Sequence, residues 1–167
     1  SVRNVATIGG SVMGRYAFSD IIPCLLALEA TLVFYPNQSI LLEDWIDQKP
    51  DKTSILKEIR IKKCSGKGYF HKVGRTHLDF ALINVAIVKD HAYKIIVGAR
   101  PSIAQKAENA MKYINNVEVL NDEEIEKVAD IAIEELKFGS NNKASKEYRK
   151  RLAKTYIIRG LKEEKSV

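Results

Sequence analysis

The chain has 167 residues, 46% of them hydrophobic, with nine Gly, four Pro and a net charge of +6. That much apolar surface can offset chain entropy, which excludes a disordered polymer and implies one domain or two small ones. The longest apolar run, Ile21 to Tyr35, is broken by Pro23 and Glu29. It falls short of the roughly 20 residues a bilayer demands, so no membrane span is expected.

Nine Lys/Arg and three Asp/Glu lie between Lys143 and Lys165, so the whole positive surplus sits there and the preceding residues balance. A basic tail can serve nucleic acid. Here the acidic stretch Asp122 to Glu135 offers it a neighbour, and no aromatic platform or nucleic-acid motif accompanies it, so no nucleic-acid partner is expected. No basic-then-apolar leader precedes the apolar run. Cys24 and Cys64 belong to no CxxC or Cys/His cluster. They read as reduced thiols of a cytoplasmic protein, with no metal site in this chain.

In chain order, Val2 to Gly14 reads as a loop whose sharpest turn is Gly9-Gly10. Ser19 caps a helix that tolerates Pro23 in its first turn and has its body over Cys24 to Ala30. Thr31 to Tyr35 is a strand ended by Pro36-Asn37, and Ser39 to Leu42 pairs with it as a hairpin. Ile55 to Ile61 alternates as a half-buried strand, with Ile55, Ile59 and Ile61 on one face. Ser65-Gly66-Lys67-Gly68 is a flexible break and marks a boundary between lobes.

Three strands follow, Tyr69 to Arg75, Phe80 to Lys89 and Ala92 to Ala99, the last two joined as an antiparallel hairpin at Asp90-His91. Beyond Arg100-Pro101 the apolar period lengthens from two to 3.6. Ser102 and Gln105 form a capping box before a helix over Ile103 to Tyr113. Asn121 and Glu124 form another, before a helix with Ile125, Val128, Ala129, Ala132, Ile133 and Leu136 on one stripe, ended by Gly139. Lys143 to Leu161 is a third helix, with Tyr148, Leu152, Thr155 and Tyr156 inward. Three strands followed by three helices make an α+β arrangement.

The most informative segment is Arg3-Asn4-Val5-Ala6-Thr7-Ile8-Gly9-Gly10-Ser11, with Ser19-Asp20 beyond it. Gly-Gly lets backbone amides approach a ligand, and the Thr and Ser hydroxyls can bond an anion. Taken bare, such spacing is usually a turn. The fuller string, an Arg-Asn-Val-x-Thr-Ile-Gly-Gly-(Asn/Ser) run followed by Ser-Asp and an apolar helix, resembles the second flavin-binding motif of the molybdenum hydroxylase flavoproteins. That family includes the medium subunits of carbon monoxide dehydrogenase and the flavin domain of xanthine dehydrogenase. The resemblance continues in Lys72-x-x-Arg75-x-x-x-Asp79-Phe80-Ala81, which is similar to the segment opening the family's carboxyl-terminal domain.

The resemblance implies an α+β fold in two parts. Residues 1–64 would be the second lobe of a two-lobed FAD-binding domain, a small mixed or antiparallel sheet with a helix. Residues 65–167 would be the flavoprotein carboxyl-terminal domain, a three-stranded antiparallel sheet plus three helices. Carried over by position, Thr7, Gly9, Gly10 and Ser11 would lie at the FAD phosphates and ribityl chain. Asp20 would accept hydrogen bonds from flavin or ribityl hydroxyls, Leu56 would lie near the isoalloxazine or the adenine, and Lys72 would reach toward the flavin. Each has a plainer reading: Asp20 as an acid in a helix's first turn, Leu56 as core, Lys72 and Arg75 as strand-face charges. Asp79 reads as a turn residue or a partner of Arg75. His71, His77 and His91 read as surface or structural, and no residue is assigned catalysis. The sequence departs from the family at Ser11, where Asn is usual, at Gly14, where a hydroxyl is common, and at the bulky loop Arg15-Tyr16-Ala17-Phe18.

The family's flavin site also uses a preceding lobe with another Gly-Gly loop, which this sequence lacks. A truncated, proteolysed or split flavoprotein is therefore expected, inactive by itself and with FAD weakened or lost. In the intact protein, electrons would pass from iron–sulfur clusters through FAD to NAD or another acceptor. Partner subunits would carry molybdopterin and 2Fe-2S clusters, and the complex would be heteromeric and cytoplasmic. The alternative is a docking module without its own flavin.

Overall fold

The computed structural model describes residues 5–48 and 53–165; Arg3 and Asn4 of the opening motif lie outside the described residues. The elements are α1 (Ile8–Met13), α2 (Ile21–Ala27), β1 (Thr31–Phe34), β2 (Gln38–Leu41), α3 (Leu42–Ile46) and β3 (Leu56–Arg60). There follow β4 (Lys67–Val73), β5 (Ile83–Lys89), β6 (Tyr93–Gly98), β7 (Gln105–Lys106), α4 (Glu108–Ile114), α5 (Asp122–Glu135) and α6 (Lys146–Lys165). The first sheet has the order β2-β1-β3 and the second β4-β5-β6-β7, and every pairing is antiparallel. This is the expected α+β fold, with a two-residue edge strand, β7, added to the expected three.

The second sheet is covered on both sides. Alternation along β5 sends Ile83, Val85 and Ile87 toward α4, α5 and α6, and sends Ala86 and Val88 toward a second cluster with Leu25, Leu26, Leu32 and Trp45. Ile95 and Val97 of β6 face the first cluster and Ile96 the second. Two-sided burial explains why Ala81 to Val88 is apolar apart from Asn84. Each fully buried Ile or Val here contributes about 1.5–3 kcal/mol of transfer free energy.

Several local expectations are corrected. The opening is a short helix, because Thr7 caps it: its side chain accepts from the Gly10 amide at 3.0 Å. Neither glycine has a positive φ, so Gly9-Gly10 is no turn. Helix α2 stops at Ala27, before Glu29, which adopts φ 49°. In β3 a bulge sets Val33 opposite Glu58 and Phe34 opposite Leu56, leaving Lys57 unmatched. The alternation changes parity there. Leu56 and Ile59 therefore pack inward, while Ile55 and Ile61 are 65% and 46% exposed.

The Ser102–Gln105 capping box does not form. Gln105 lies in β7, its side chain accepts from Arg100, and α4 begins only at Glu108. The amides of Asn109 and Ala110 donate instead to the Glu135 carboxylate of α5, at 2.9 and 3.0 Å. A cap supplied from another helix leaves no local signature. The Asn121 cap does form, accepting from the Glu124 amide at 2.8 Å. Helix α5 ends at Glu135, and Gly139 instead donates to the Arg100 carbonyl. On α6 the buried stripe is Arg149, Ala153, Ile157, Gly160 and Leu161, whereas Tyr148 and Thr155 are exposed. Leu152 and Tyr156 pack against the core as expected, but Arg149 and Gly160 share the buried stripe, so hydrophobicity alone misplaced Tyr148 and Thr155. The basic α6 lies on the acidic α5, with Lys154 paired to Glu126 and Asp130 and Lys162 to Asp122.

Two substitutions test this packing. Asn121→Ala is expected to lower unfolding free energy by about 1 kcal/mol. Gly98→Ala places a Cβ 2.2 Å from Asn84 Oδ1 and 3.1 Å from Pro23, and is expected to cost about 1–3 kcal/mol. Urea unfolding midpoints at constant slope measure both.

Candidate functional site

Helix α1 packs against α2 and β3. In its first turn Thr7 Oγ1 accepts from the Gly10 amide, and the Ser11 amide and hydroxyl both donate to the Thr7 carbonyl, at 3.0 and 2.9 Å. Both hydroxyls are thus already used within the helix, Thr7 keeping its proton to donate and Ser11 its lone pairs. The amides of Ile8 and Gly9 lie ahead of the first intrahelical bond. A Cβ on Gly10 would sit 3.0 Å from Thr7 Oγ1, so a larger residue there would crowd the cap. A Cβ on Gly9 would meet Leu56 Cδ2 at 3.8 Å, which puts Leu56 of β3 directly against this turn. Four motif residues and Leu56 are therefore brought together.

Asp20 and Lys72 form a second cluster. Asp20 is the N-cap of α2 but makes no side-chain bond to its own helix. Its carboxylate instead joins two strands: Oδ2 lies 3.1 Å from Lys72 Nζ on β4, and Oδ1 accepts from Asn84 Nδ2 on β5 at 3.1 Å. Asn84, fully buried, also donates to the Ser19 carbonyl at 3.0 Å, while its Oδ1 has no partner and faces Gly98. Cys24 lies beneath Asp20, and its thiol is pushed up to about 11 by burial and by the Asp20 charge. Ser19 Oγ accepts weakly from the Ile22 amide, at 3.3 Å.

A third group was missed. Tyr16 stacks on Phe18 with centroids 5.3 Å apart, and Phe18 on Phe80 at 4.1 Å. Asp79 pairs with Lys143 at 2.6 Å rather than with Arg75, which donates to the Asn142 and Lys143 carbonyls. Lys143, followed by the Phe80 amide, holds the Asp79 carboxyl below the usual carboxylate range. Arg149 donates to the Leu82 and Ala99 carbonyls and to Asn141. Asn84 carried a signal in the sequence, as the lone polar residue of an eight-residue apolar run. Arg149 carried none, since it sits in a stretch of many bases. His71 stacks on Tyr156 at 3.9 Å, and burial and Arg159 lower its pKa.

A small antiparallel lobe that opens on the Thr7-capped helix α1 is thus joined to a sheet-and-helix unit through the Asp20–Lys72 pair. A family described as the FAD binding domain in molybdopterin dehydrogenase matches residues 1–62, and one described as the CO dehydrogenase flavoprotein C-terminal domain matches residues 68–164. The chain belongs to the FAD-binding subunit family of the molybdenum hydroxylases. The glyceraldehyde dehydrogenase medium chain of Sulfolobus acidocaldarius is 27% identical over 97% of this chain and 62% of its own length. Escherichia coli K12 YgfM is 34% identical over 54% of this chain and 34% of its own. Quinoline 2-oxidoreductase from Pseudomonas putida 86 superposes with a TM-score of 0.85 at 24% identity, over 98% of this chain and 62% of that one. Reconstituted CO dehydrogenase from Oligotropha carboxidovorans gives 0.85 at 20% identity, over 99% of this chain and 63% of that one. At such identities the structural likeness shows the fold. The chain thus spans less than two thirds of the length of these relatives.

The two thiols provide a check on the second cluster. Cys24 is half-buried and protonated at neutral pH, whereas Cys64 is exposed. At pH 8 a disulfide reagent is expected to titrate one thiol per chain quickly, and Cys64→Ser to abolish that fast phase. A fast phase surviving in Cys64→Ser would show that Asp20 and α2 do not cover Cys24.

Proposed function

We propose that this chain is part of the flavin-binding subunit of a heteromeric, cytoplasmic molybdenum hydroxylase. In that enzyme electrons pass from 2Fe-2S clusters on one partner subunit, reduced by a molybdopterin-bearing partner, through FAD to NAD or another acceptor. The family match over both segments supports the reading. The observation that carries it is the Asp20–Lys72 pair, which joins residues of both motifs, 3.1 Å apart, across the two units.

The residues present suit FAD by their donor chemistry. The first turn of α1 offers the amides of Ile8 and Gly9, which lie ahead of the first intrahelical bond and suit phosphate oxygens. The Asp20 carboxylate accepts from hydroxyls of a ribityl chain, and Lys72 keeps further ammonium protons beyond the one engaged with Asp20. Leu56 gives the turn an apolar floor. FAD, when bound, supplies the redox chemistry, and the protein binds, orients and electrostatically tunes it. A cation at Lys72 favours negative charge on a nearby flavin ring, and Asp20 fixes where that cation stands.

In the complete flavoprotein, Asp20→Asn and Lys72→Met are each expected to weaken FAD binding about 10- to 100-fold, the loss of one charge-assisted hydrogen bond. Fluorescence titration of the apoprotein measures this. Unchanged affinity in both variants would remove these residues from the site. A polypeptide of these 167 residues alone is expected to carry no stoichiometric flavin, with no visible band after purification, and to be redox-silent. Assembly with the partner subunits that survives flavin removal at full affinity, in a protein that never shows a flavin band, would favour a docking module.

A further inference from the structure

Asn84 is fully buried on β5, the lone polar residue between Ala81 and Val88. A polar side chain in that place makes two demands on the fold. Its Oδ1 is buried without a partner. Gly98, opposite it in the β5–β6 register, leaves the space it occupies, since a Cβ there would lie 2.2 Å from that oxygen. An aliphatic side chain would meet neither difficulty. What Asn84 supplies is its Nδ2, which donates to the Ser19 carbonyl at 3.0 Å and to Asp20 Oδ1 at 3.1 Å. A carbonyl and a carboxylate can only accept, so the amide has a single bonding orientation.

The bond to the Ser19 carbonyl already ties β5 to the start of α2. The bond to the carboxylate is the one that a purely structural tie does not need. Asp20 makes no side-chain bond to its own helix, so α2 does not set the direction of its carboxylate. Two side chains of the second sheet set it instead. Lys72, 3.1 Å from Oδ2, is long, rich in rotamers and partly exposed. Asn84 is short, buried and held by the Ser19 carbonyl at the same time. It takes one lone pair of Oδ1 and leaves the other acceptor positions of the carboxylate for a ligand. We propose that Asn84 is a positioning residue of the flavin site, aiming the Asp20 carboxylate at the hydroxyls of FAD and holding it there before the cofactor binds. Such preorganisation raises affinity without a contact of its own. This rests on the FAD reading above.

The test titrates FAD into the complete apo-flavoprotein carrying Asn84→Leu or Asn84→Asp, with circular dichroism to establish folding. Asn84→Leu keeps the volume and removes the donor, and is expected to weaken binding about tenfold. In an Asp20→Asn background it is expected to cost nothing further, because it acts through that carboxylate. Asn84→Asp keeps the shape and sets a second carboxyl beside Asp20. Two such groups share a proton whose apparent pKa is raised by like charge and burial, and the shared proton restores the bond. Affinity in this variant is therefore expected to match the parent at about pH 5 and to fall roughly tenfold by about pH 8, while the parent stays level. Lys72 on β4 also faces Asp20, and the Cys24 thiol beneath it, pushed up to about 11, stays protonated over this range. A level profile in Asn84→Asp would overturn the proposal, and it carries the test even where Asn84→Leu does not fold. Parental affinity in Asn84→Leu would overturn it as well, as would a loss that repeats in full on top of Asp20→Asn. Asp20→Asn that binds FAD as tightly as the parent would instead refute the FAD reading of this carboxylate.

Discussion

Strands β5 and β6 have no solvent face, and the rest of the structure follows from that constraint. With Ile83, Val85 and Ile87 on one side and Ala86 and Val88 on the other, two apolar layers must be supplied to cover them. Helices α4 to α6 supply one, and α2 with the small β1–β3 sheet supplies the other. A polar side chain in such a strand must find partners inside the protein. Asn84 finds them at Ser19 and Asp20, at the beginning of α2. The covering of the sheet thereby fixes where α2 begins, and sets the Asp20 carboxylate beside Lys72 on the neighbouring strand.

The buried arginines extend the same logic to the loops. Arg100 and Arg149 are 2% and 1% exposed, and among the described residues neither has a carboxylate at ion-pair distance. The terminal nitrogens of their guanidinium groups donate to main-chain carbonyls and amide side chains, Lys137, Ile103 and Gln105 for Arg100, and Leu82, Ala99 and Asn141 for Arg149, while each Nε is buried without a partner. Burial pushes Arg100 down to about 10, which leaves it charged at neutral pH. Planar five-donor heads are suited to fasten several strand ends at once. They fix the loops at the end of the second sheet nearest Asp20. Arg15, at φ 46°, does the same for the first lobe, donating to the carbonyls of Trp45 and Ile46 and lying 3.7 Å over the Trp45 ring.

Strand alternation in 83–89 and 93–98, the helical stripe of α5 and the Asn121 cap were all legible, because each is a local pattern with a local cause. The β3 face was misread because a bulge changes parity without a sequence mark. The start of α4 was misread because its cap comes from Glu135, more than twenty residues away. The inner face of α6 was read correctly at Leu152 and Tyr156 and wrongly at Tyr148 and Thr155, because Arg149 looks like a surface base until its three acceptors are in place. At the site, the motif residues were identifiable by type and spacing. Their partners were not: Thr7 and Ser11 turn toward their own helix, and Asp79 chooses Lys143 over Arg75.

The sequence by itself determined the family, the α+β class, the order of the main elements and which residues make up the Gly-Gly motif, the acid and the lysine. These depend on residue identity at short spacing, where backbone sterics and periodicity act. Only the tertiary structure decided that Asp20 meets Lys72 and Asn84, that Leu56 packs against Gly9 of α1, and that Phe18 lies against both Tyr16 and Phe80. Apart from Tyr16 on Phe18, those contacts join residues 47 to 64 positions apart and depend on how two sheets and their helices share buried area, which no local pattern encodes.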